Sequence, residues 1–388
     1  MIWFKLELYL LLDVLSKMKR RRKEEIFINK VINKENMSSI SRISNISSLS
    51  DISECILFID MPNLGGGTTF FVNSIISRYS PKTTFLIARN YGKLQLSINN
   101  TVLKKTYTSR ESVKLLEQIK SKISFIFVNH IISHKKSFIQ KLFTLGKEVI
   151  TITHDYLLLF KTPALTFDEY FKDQFSLQPN VNINQFDAVI TQNIGNMYIY
   201  QKYMNAKTKN NVYTFGLPDY TKSLDKVIIP KKDKITVGIM GFISYIKGAE
   251  IVKEFIEKTR GTNIDLVIFG SLQDSDYPHQ YPYKGIENLN RLLTEFKPNV
   301  LIETSIWPET YSYTLTLGML TRLPIIYYKK PIPCVVSERL SHYSKSHECR
   351  SVNDIIKKCV LYGQKQKYLY TIDENSFKFG KNWDRLFG

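Results

Sequence analysis

The sequence predicts an α/β chain of two domains, each a doubly wound parallel sheet with helices on both faces. Three observations predict it. Short apolar runs alternate with helix-patterned segments along most of the chain, which is how helix-covered parallel sheets read. The 388 residues are too many for one ordinary core and suit two. A charged stretch at 219–233, containing Pro230-Lys231-Lys232-Asp233, separates two series of strand–helix units. No internal repeat of solenoid period is visible. The expected division is an extension and linker at 1–53, a first domain at 54–218, the linker at 219–233, a second domain at 234–372, and a C-terminal segment at 373–388, where Phe377, Phe379, Trp383 and Phe387 stand amid charges.

In the first domain, Cys55 to Asp60 (CILFID) is an apolar run fit for a buried parallel strand. Gly65-Gly66-Gly67-Thr68-Thr69 follows, then a helix expected over about 70–79. Glycines before a helix expose backbone N–H groups to a ligand; a plain tight turn would use them as well. The run is not a P-loop, since no Gly-Lys-Ser/Thr follows, and Phe70 sits where the dinucleotide fingerprint needs its last glycine. Further strands are expected at 125–128, 148–153, 186–191 and 211–218. The first two run into Asn129-His130 and His154-Asp155-Tyr156.

The second domain opens with KITVGIMGFISYIKG, residues 234–248. It reads as a strand carrying Ile235, Val237 and Ile239, a small-residue turn from Gly241 to Ser244, and Lys247-Gly248 opening a helix over 249–258. A strand at 264–269 follows. Residues 300–303 form a strand that leads through Trp307-Pro308-Glu309 into a short helix. Pro324 stops that helix, and Ile325 begins the next strand. Glu309 and Tyr311-Ser312-Tyr313 thus sit where a strand hands over to a helix, the edge at which open α/β sheets bind ligands. The helix start adds free N–H groups and partial positive charge. An ordinary βαβ unit with Glu309 as a helix cap fits the same pattern.

Pro308, Glu309, Tyr311, Ser312, Met319 and Pro324 together resemble the donor-site signature of group 1 retaining glycosyltransferases, which have the GT-B fold. The resemblance implies a transferase that moves a sugar from a nucleotide-diphosphate-sugar donor to a hydroxyl of a glycan, glycolipid or glycoprotein, with retention at the anomeric carbon. The two Rossmann-like domains would then face a central cleft, the first as the acceptor side and the second as the nucleotide-sugar side. A C-terminal helix at 373–388 would cross back to the first domain, anchored by Phe377, Phe379, Trp383 and Phe387. Glu309, Lys247 and His154 would be the catalytic-centre residues. Glu309 would hold the sugar hydroxyls, and Lys247 would meet the diphosphate as a compact cation. Gly241, Ser244, Tyr311, Ser312 and Tyr313 would complete the donor site. Gly65, Gly66, Gly67 and Thr68 would form the acceptor-side loop, near which the family's strand-end histidine lies. The donor is a substrate, so no separate cofactor and no bound metal are expected. Two positions depart from the family: an arginine is often found where this chain has Gly241, and a second glutamate where it has Leu317. Thr69 also replaces a glutamate common in the glycine loop.

The four cysteines lack C-x-x-C spacing, which argues for a reduced compartment without a zinc site or disulfide framework. Asp274-Ser275-Asp276 matches the D-x-D metal pattern of the other large glycosyltransferase fold, yet it follows a second-domain strand and reads as a polar loop. Met1 to Leu15 is too short and too charged to span a bilayer. The basic run after it, Lys17 to Lys23, fits neither a secretory signal nor a spanning segment. The expected location is cytoplasmic, with peripheral contact to an anionic membrane left open. A net charge of +19 admits nucleic acid as a partner class, but the lysines are dispersed and no nucleic-acid-binding motif is present. The alternatives carried forward are a catalytically degenerate GT-B binder of sugar or nucleotide, and a GT-B nucleotide-sugar epimerase.

Overall fold

The computed structural model describes residues 48–62, 66–99, 101–164, 166–171, 181–215, 234–332, 334–363 and 381–388. The basic run, the proposed linker at 219–233 and Gly65 lie outside these residues, as do positions 1–47 of the extension and 373–380 of the C-terminal segment.

The first sheet has eight strands: β1 (Cys55–Asp60), β2 (Phe85–Asn90), β3 (Leu94–Ile98), β4 (Thr101–Tyr107), β5 (Ile123–Val128), β6 (Val149–Ile152), β7 (Ala188–Thr191) and β8 (Val212–Thr214). Their order is β4-β3-β2-β1-β5-β6-β7-β8. Six run parallel, with helices in the connections, and their β1, β5, β6 and β7 positions are almost all buried. That burial explains why they read as continuous apolar runs rather than alternating ones.

The sheet is not wholly parallel, as the sequence reading expected. β3 and β4 add antiparallel to β2. The local chemistry accounts for this. Leu94, Leu96 and Ile98 are buried and alternate with polar residues, and the turns carry Gly92 at φ 89° and Asn99 at φ 52°, both suited to hairpin reversal. β4 is the exposed edge, where Lys104 and Lys105 discourage further strand pairing.

The second sheet is parallel throughout: β9 (Ile235–Ile243), β10 (Ile264–Leu272), β11 (Val300–Glu303), β12 (Ile325–Tyr328) and β13 (Ser346–Cys349), in the order β10-β9-β11-β12-β13. β9 runs through Gly241 instead of turning there. Gly241 pairs with Gly270 of β10, and both have positive φ, 101° and 142°. A Cβ on Gly270 would lie 2.0 Å from the Gly241 carbonyl oxygen. Two facing glycines therefore let both strands continue through a kink that side chains would block.

Helix Lys381–Phe387 lies on the first sheet. The Trp383 ring meets Phe71 and Phe215 at centroid distances of 5.3 and 4.9 Å, and Phe387 stacks among Phe85, Phe125 and Phe127. Asp384 pairs with Arg78 at 2.9 Å, and Thr83 Oγ1 donates to the Phe387 carbonyl at 2.6 Å. Among the described residues no helix is long and apolar enough to cross a membrane.

Candidate functional site

The C-terminal ends of β9 and β11 meet at one point. β9 leads through Ser244 into a single turn, Tyr245–Lys247. The Ser244 carbonyl accepts from Lys247 N and Ala249 N at 2.9 and 3.1 Å. Gly248 follows at φ 82°, and Thr304, just past β11, donates its hydroxyl to the Lys247 carbonyl at 2.7 Å. The Lys247 ammonium reaches Glu309 Oε1 at 2.6 Å, and Ser305 Oγ donates to the same oxygen. Glu309 is 1% exposed, while its Oε2 is buried without a hydrogen-bond partner. Burial pushes this carboxyl up; the Lys247 charge, with hydrogen bonds from Lys247 and Ser305, outweighs it and holds the group below its ordinary value. Lys247, Glu303, Thr304, Ser305, Glu309 and Thr314 line part of a pocket enclosing about 430 Å³, open mouth included.

Helix Tyr313–Leu320 starts beside this pocket. Ser312 is its cap, with Oγ accepting from Leu315 N at 3.3 Å. Tyr311 hydroxyl pairs with Thr316 Oγ1 at 3.3 Å, and its ring meets Tyr313 edge-on at 4.0 Å. The Thr314 methyl would sit 2.8 Å from a Cβ on Gly241, so an arginine has no room at that position. Leu317 is 7% exposed and belongs to the hydrophobic core.

The loop carrying Glu309 is gripped from the first half. Trp307 packs into the first half's core. Tyr156 hydroxyl donates to the Pro308 carbonyl at 2.6 Å, Asn193 Nδ2 donates to the Thr310 carbonyl at 3.0 Å, and Thr310 Oγ1 donates to the His154 carbonyl. Gly66, Gly67 and Thr68 are not a loop but the first turn of helix Gly66–Tyr79, which begins four residues earlier than expected. Gly67 abuts Tyr313 so closely that a Cβ there would lie 2.5 Å from the ring. That close approach explains a glycine at this helix start.

His154 lies in a polar chain that crosses the first sheet along its strand ends. Arg89 pairs with Asp60 at 2.8 Å, Asn129 Nδ2 donates to Asp60 Oδ1 at 2.8 Å, His154 Nε2 lies 2.6 Å from Asn129 Oδ1, and Gln192 Nε2 lies 3.2 Å from His154 Nδ1. An amide oxygen only accepts, so Nε2 carries the proton and Nδ1 accepts. Both ring nitrogens are therefore occupied, and the side chain has a positioning geometry rather than that of a proton acceptor. The sequence places Asp60 and Asn129 at strand ends without assigning them to the site; the strand-end rule applied to every parallel strand adds both, and Gln192 with them.

Burial pushes the His154 pKa down to about 3 and that of His134 to about 4. Both titrate near 6.5 in an unfolded chain. Between those values the unfolded state binds more protons, so the stabilisation is complete above about pH 6.5 and is lost as pH falls below it. Two such groups give a slope of up to about 2.7 kcal/mol per pH unit. Urea midpoints at pH 7 and pH 5 should show the fall, and His154→Gln should remove about half of it.

Among the described residues, no group of three or more His, Cys, Asp or Glu could hold a metal ion. Asp274 sits in the loop after β10 at φ 52°. All four cysteines are free and buried.

No protein-family model matches the sequence, and no curated protein matches it. Solved structures do. HepE from Anabaena, in complex with UDP-glucose, is similar at a TM-score of 0.59 and 12% identity, covering 85% of this chain and 97% of its own. The lipopolysaccharide outer core galactosyltransferase WaaB, in its apo form, is similar at 0.58 and 13%, covering 86% and 97%. A glycosyltransferase from Rickettsia africae ESF-5 is similar at 0.52 and 10%, covering 86% and 94%. Two α/β halves with mainly parallel sheets, meeting at their strand ends and matched along nearly the whole length of these structures, show that this chain has the GT-B fold.

Proposed function

We propose that the protein is a glycosyltransferase that takes a sugar from a nucleoside-diphosphate-sugar donor and passes it to an acceptor hydroxyl with retention of anomeric configuration. The observation that carries this reading is the carboxylate of Glu309: buried, ionised, with one oxygen held by Lys247 and Ser305 and the other unpartnered. A buried acceptor without a donor is costly, and a sugar hydroxyl satisfies it. The complex of HepE with UDP-glucose makes that ligand the first probe.

In this reading Lys247 swings from Glu309 to the diphosphate and stabilises the charge that develops on the leaving group. The positive end of helix Tyr313–Leu320 adds to that stabilisation. Glu309 Oε2 accepts a hydrogen bond from the donor sugar and orients it. His154, held on both nitrogens, takes no proton; the leaving phosphate receives the one lost by the acceptor hydroxyl. The acceptor is a glycan or lipid-linked glycan entering from the first half, past Gly67 and Thr68. The reaction runs without a bound metal, in the cytoplasm or at the face of an anionic membrane. NMR of the product's anomeric proton tests retention.

One observation favours a second reading, a sugar-nucleotide binder without turnover. Leu317 is packed in the core, so no carboxylate meets the ribose from that position. Thermal unfolding against a panel of nucleoside diphosphates and their sugars tests both. A ligand at one hundred times its Kd stabilises the fold by about 2.7 kcal/mol. A shift followed by transfer to an added glycan supports the transferase; a shift without transfer or epimerised product supports the binder; no shift across the panel overturns both.

A further inference from the structure

A second lysine stands behind the Glu309 carboxylate. Lys330, just past β12, is 6% exposed. Its ammonium lies 2.9 Å from Glu303 Oε2 and donates to the Ser305 carbonyl. Ser305 in turn donates its backbone N–H to Glu303 Oε1 at 3.0 Å and its hydroxyl to Glu309 Oε1. Ser305 is itself 2% exposed. The four residues form one continuous chain, Lys330–Glu303–Ser305–Glu309, running through the Ser305 backbone and joined at its far end to Lys247. Two lysines and two glutamates thus make a neutral quartet, which is how buried charges are tolerated.

The quartet is asymmetric. Lys247 is 27% exposed at its side chain, whereas that of Lys330 is 1% exposed. An anionic donor can draw Lys247 away but cannot reach Lys330, whose donors are turned inward onto Glu303 and Ser305. The Glu309 carboxylate then keeps Ser305 as its direct partner, with Lys330 and the buried Arg339 as the nearby positive charges.

We propose that Lys330, Glu303 and Ser305 are positioning residues that keep the Glu309 carboxylate ionised and in place when Lys247 turns to the donor's phosphates. This rests on the reading of Glu309 as the sugar-holding group. Lys330 touches no ligand; it acts through Ser305 and Glu303.

The test uses the full chain without ligand. Carbon-13 NMR follows the Glu309 carboxyl through a pH titration, its signal identified by its loss in Glu309→Gln. The expected result is a midpoint at least one pH unit higher in Lys330→Met and in Ser305→Ala, and higher still when either is combined with Lys247→Ala. A purely structural role would lower the unfolding temperature and leave the midpoint where it was; unchanged midpoints in both variants overturn the proposal. Lys330→Met leaves the part-buried Glu303 without its ion-pair partner, so Lys330→Met/Glu303→Gln removes both charges where the single variant does not fold, and Ser305→Ala tests the chain from its other end. Calorimetry with UDP and UDP-glucose separates this proposal from the reading it rests on. Shifted midpoints with Glu309→Gln binding both ligands as the wild type does would uphold the positioning chain and remove the sugar-holding role of Glu309.

Discussion

Glu309→Ala and Lys247→Ala are each expected to lower transfer at least tenfold, about 1.4 kcal/mol of barrier, and to do so in distinguishable ways. Lys247 is the partly exposed member of the pair and Glu309 the buried one. Without Glu309, Lys247 turns to water and remains available to a diphosphate. UDP should then bind at least as tightly as before, because no carboxylate competes for the ammonium, while UDP-glucose loses any advantage its sugar conferred. Without Lys247, the carboxylate keeps Ser305 and the more distant charges of Lys330 and Arg339, and its burial pushes its pKa back up. UDP and UDP-glucose should both weaken, since the group that meets the phosphates is gone. Calorimetry with the two ligands, beside steady-state kinetics, reads the pattern. Wild-type kinetics in both variants would remove the site assignment.

The two failures also differ in stability. Breaking a buried ion pair by removing one partner costs most when the remaining charge is the buried one. Lys247→Ala should therefore unfold earlier in urea than Glu309→Ala, and raising the pH should widen the gap as the stranded carboxyl is forced to ionise.

The second half of the chain was easier to read than the first. Residues 300–303 and the strand from Ile325 stood out because apolar runs there end at polar or proline residues, and β11 and β12 begin and end accordingly. Gly241 misled because one glycine reads as a turn; only its pairing with Gly270 makes it a kink inside a strand. The hairpin of β3 and β4 is written in the alternation of Leu94, Leu96 and Ile98, a period of two that the continuous apolar runs of βαβ units do not share. In the site, Glu309 and Lys247 were legible through a family pattern and their places at strand ends. Lys330 was not. No local signal separates it from Lys329, and it reaches Ser305 only because β11 and β12 lie in parallel register, with Glu303 opposite Tyr327. The saturation of His154 was hidden for the same reason, since its partners come from two neighbouring strands.

Gly248→Ala is expected to be a severely damaging single methyl group beside the site. Gly248 sits at φ 82°, and a Cβ there would lie 2.2 Å from the Thr304 carbonyl oxygen, a backbone atom that cannot rotate away. The same residue caps helix Ala249–Thr259, its carbonyl accepting from Val252 N at 3.1 Å. Its neighbour Lys247 is tied to Thr304 by the 2.7 Å hydrogen bond to its carbonyl. Relief of the clash must therefore part the two strand ends that bring Lys247 and Glu309 together. The left-handed backbone alone costs an alanine about 1 kcal/mol, and the displaced packing should bring the total to about 3–4 kcal/mol. Gly261 supplies the control: its φ is 76° and nothing lies within 4 Å of an added Cβ, so Gly261→Ala should show the backbone cost alone. Urea unfolding of the two variants measures the difference. Equal losses would refute the clash, and UDP binding that survives in Gly248→Ala would refute the claim that this one contact holds the Lys247 turn against β11.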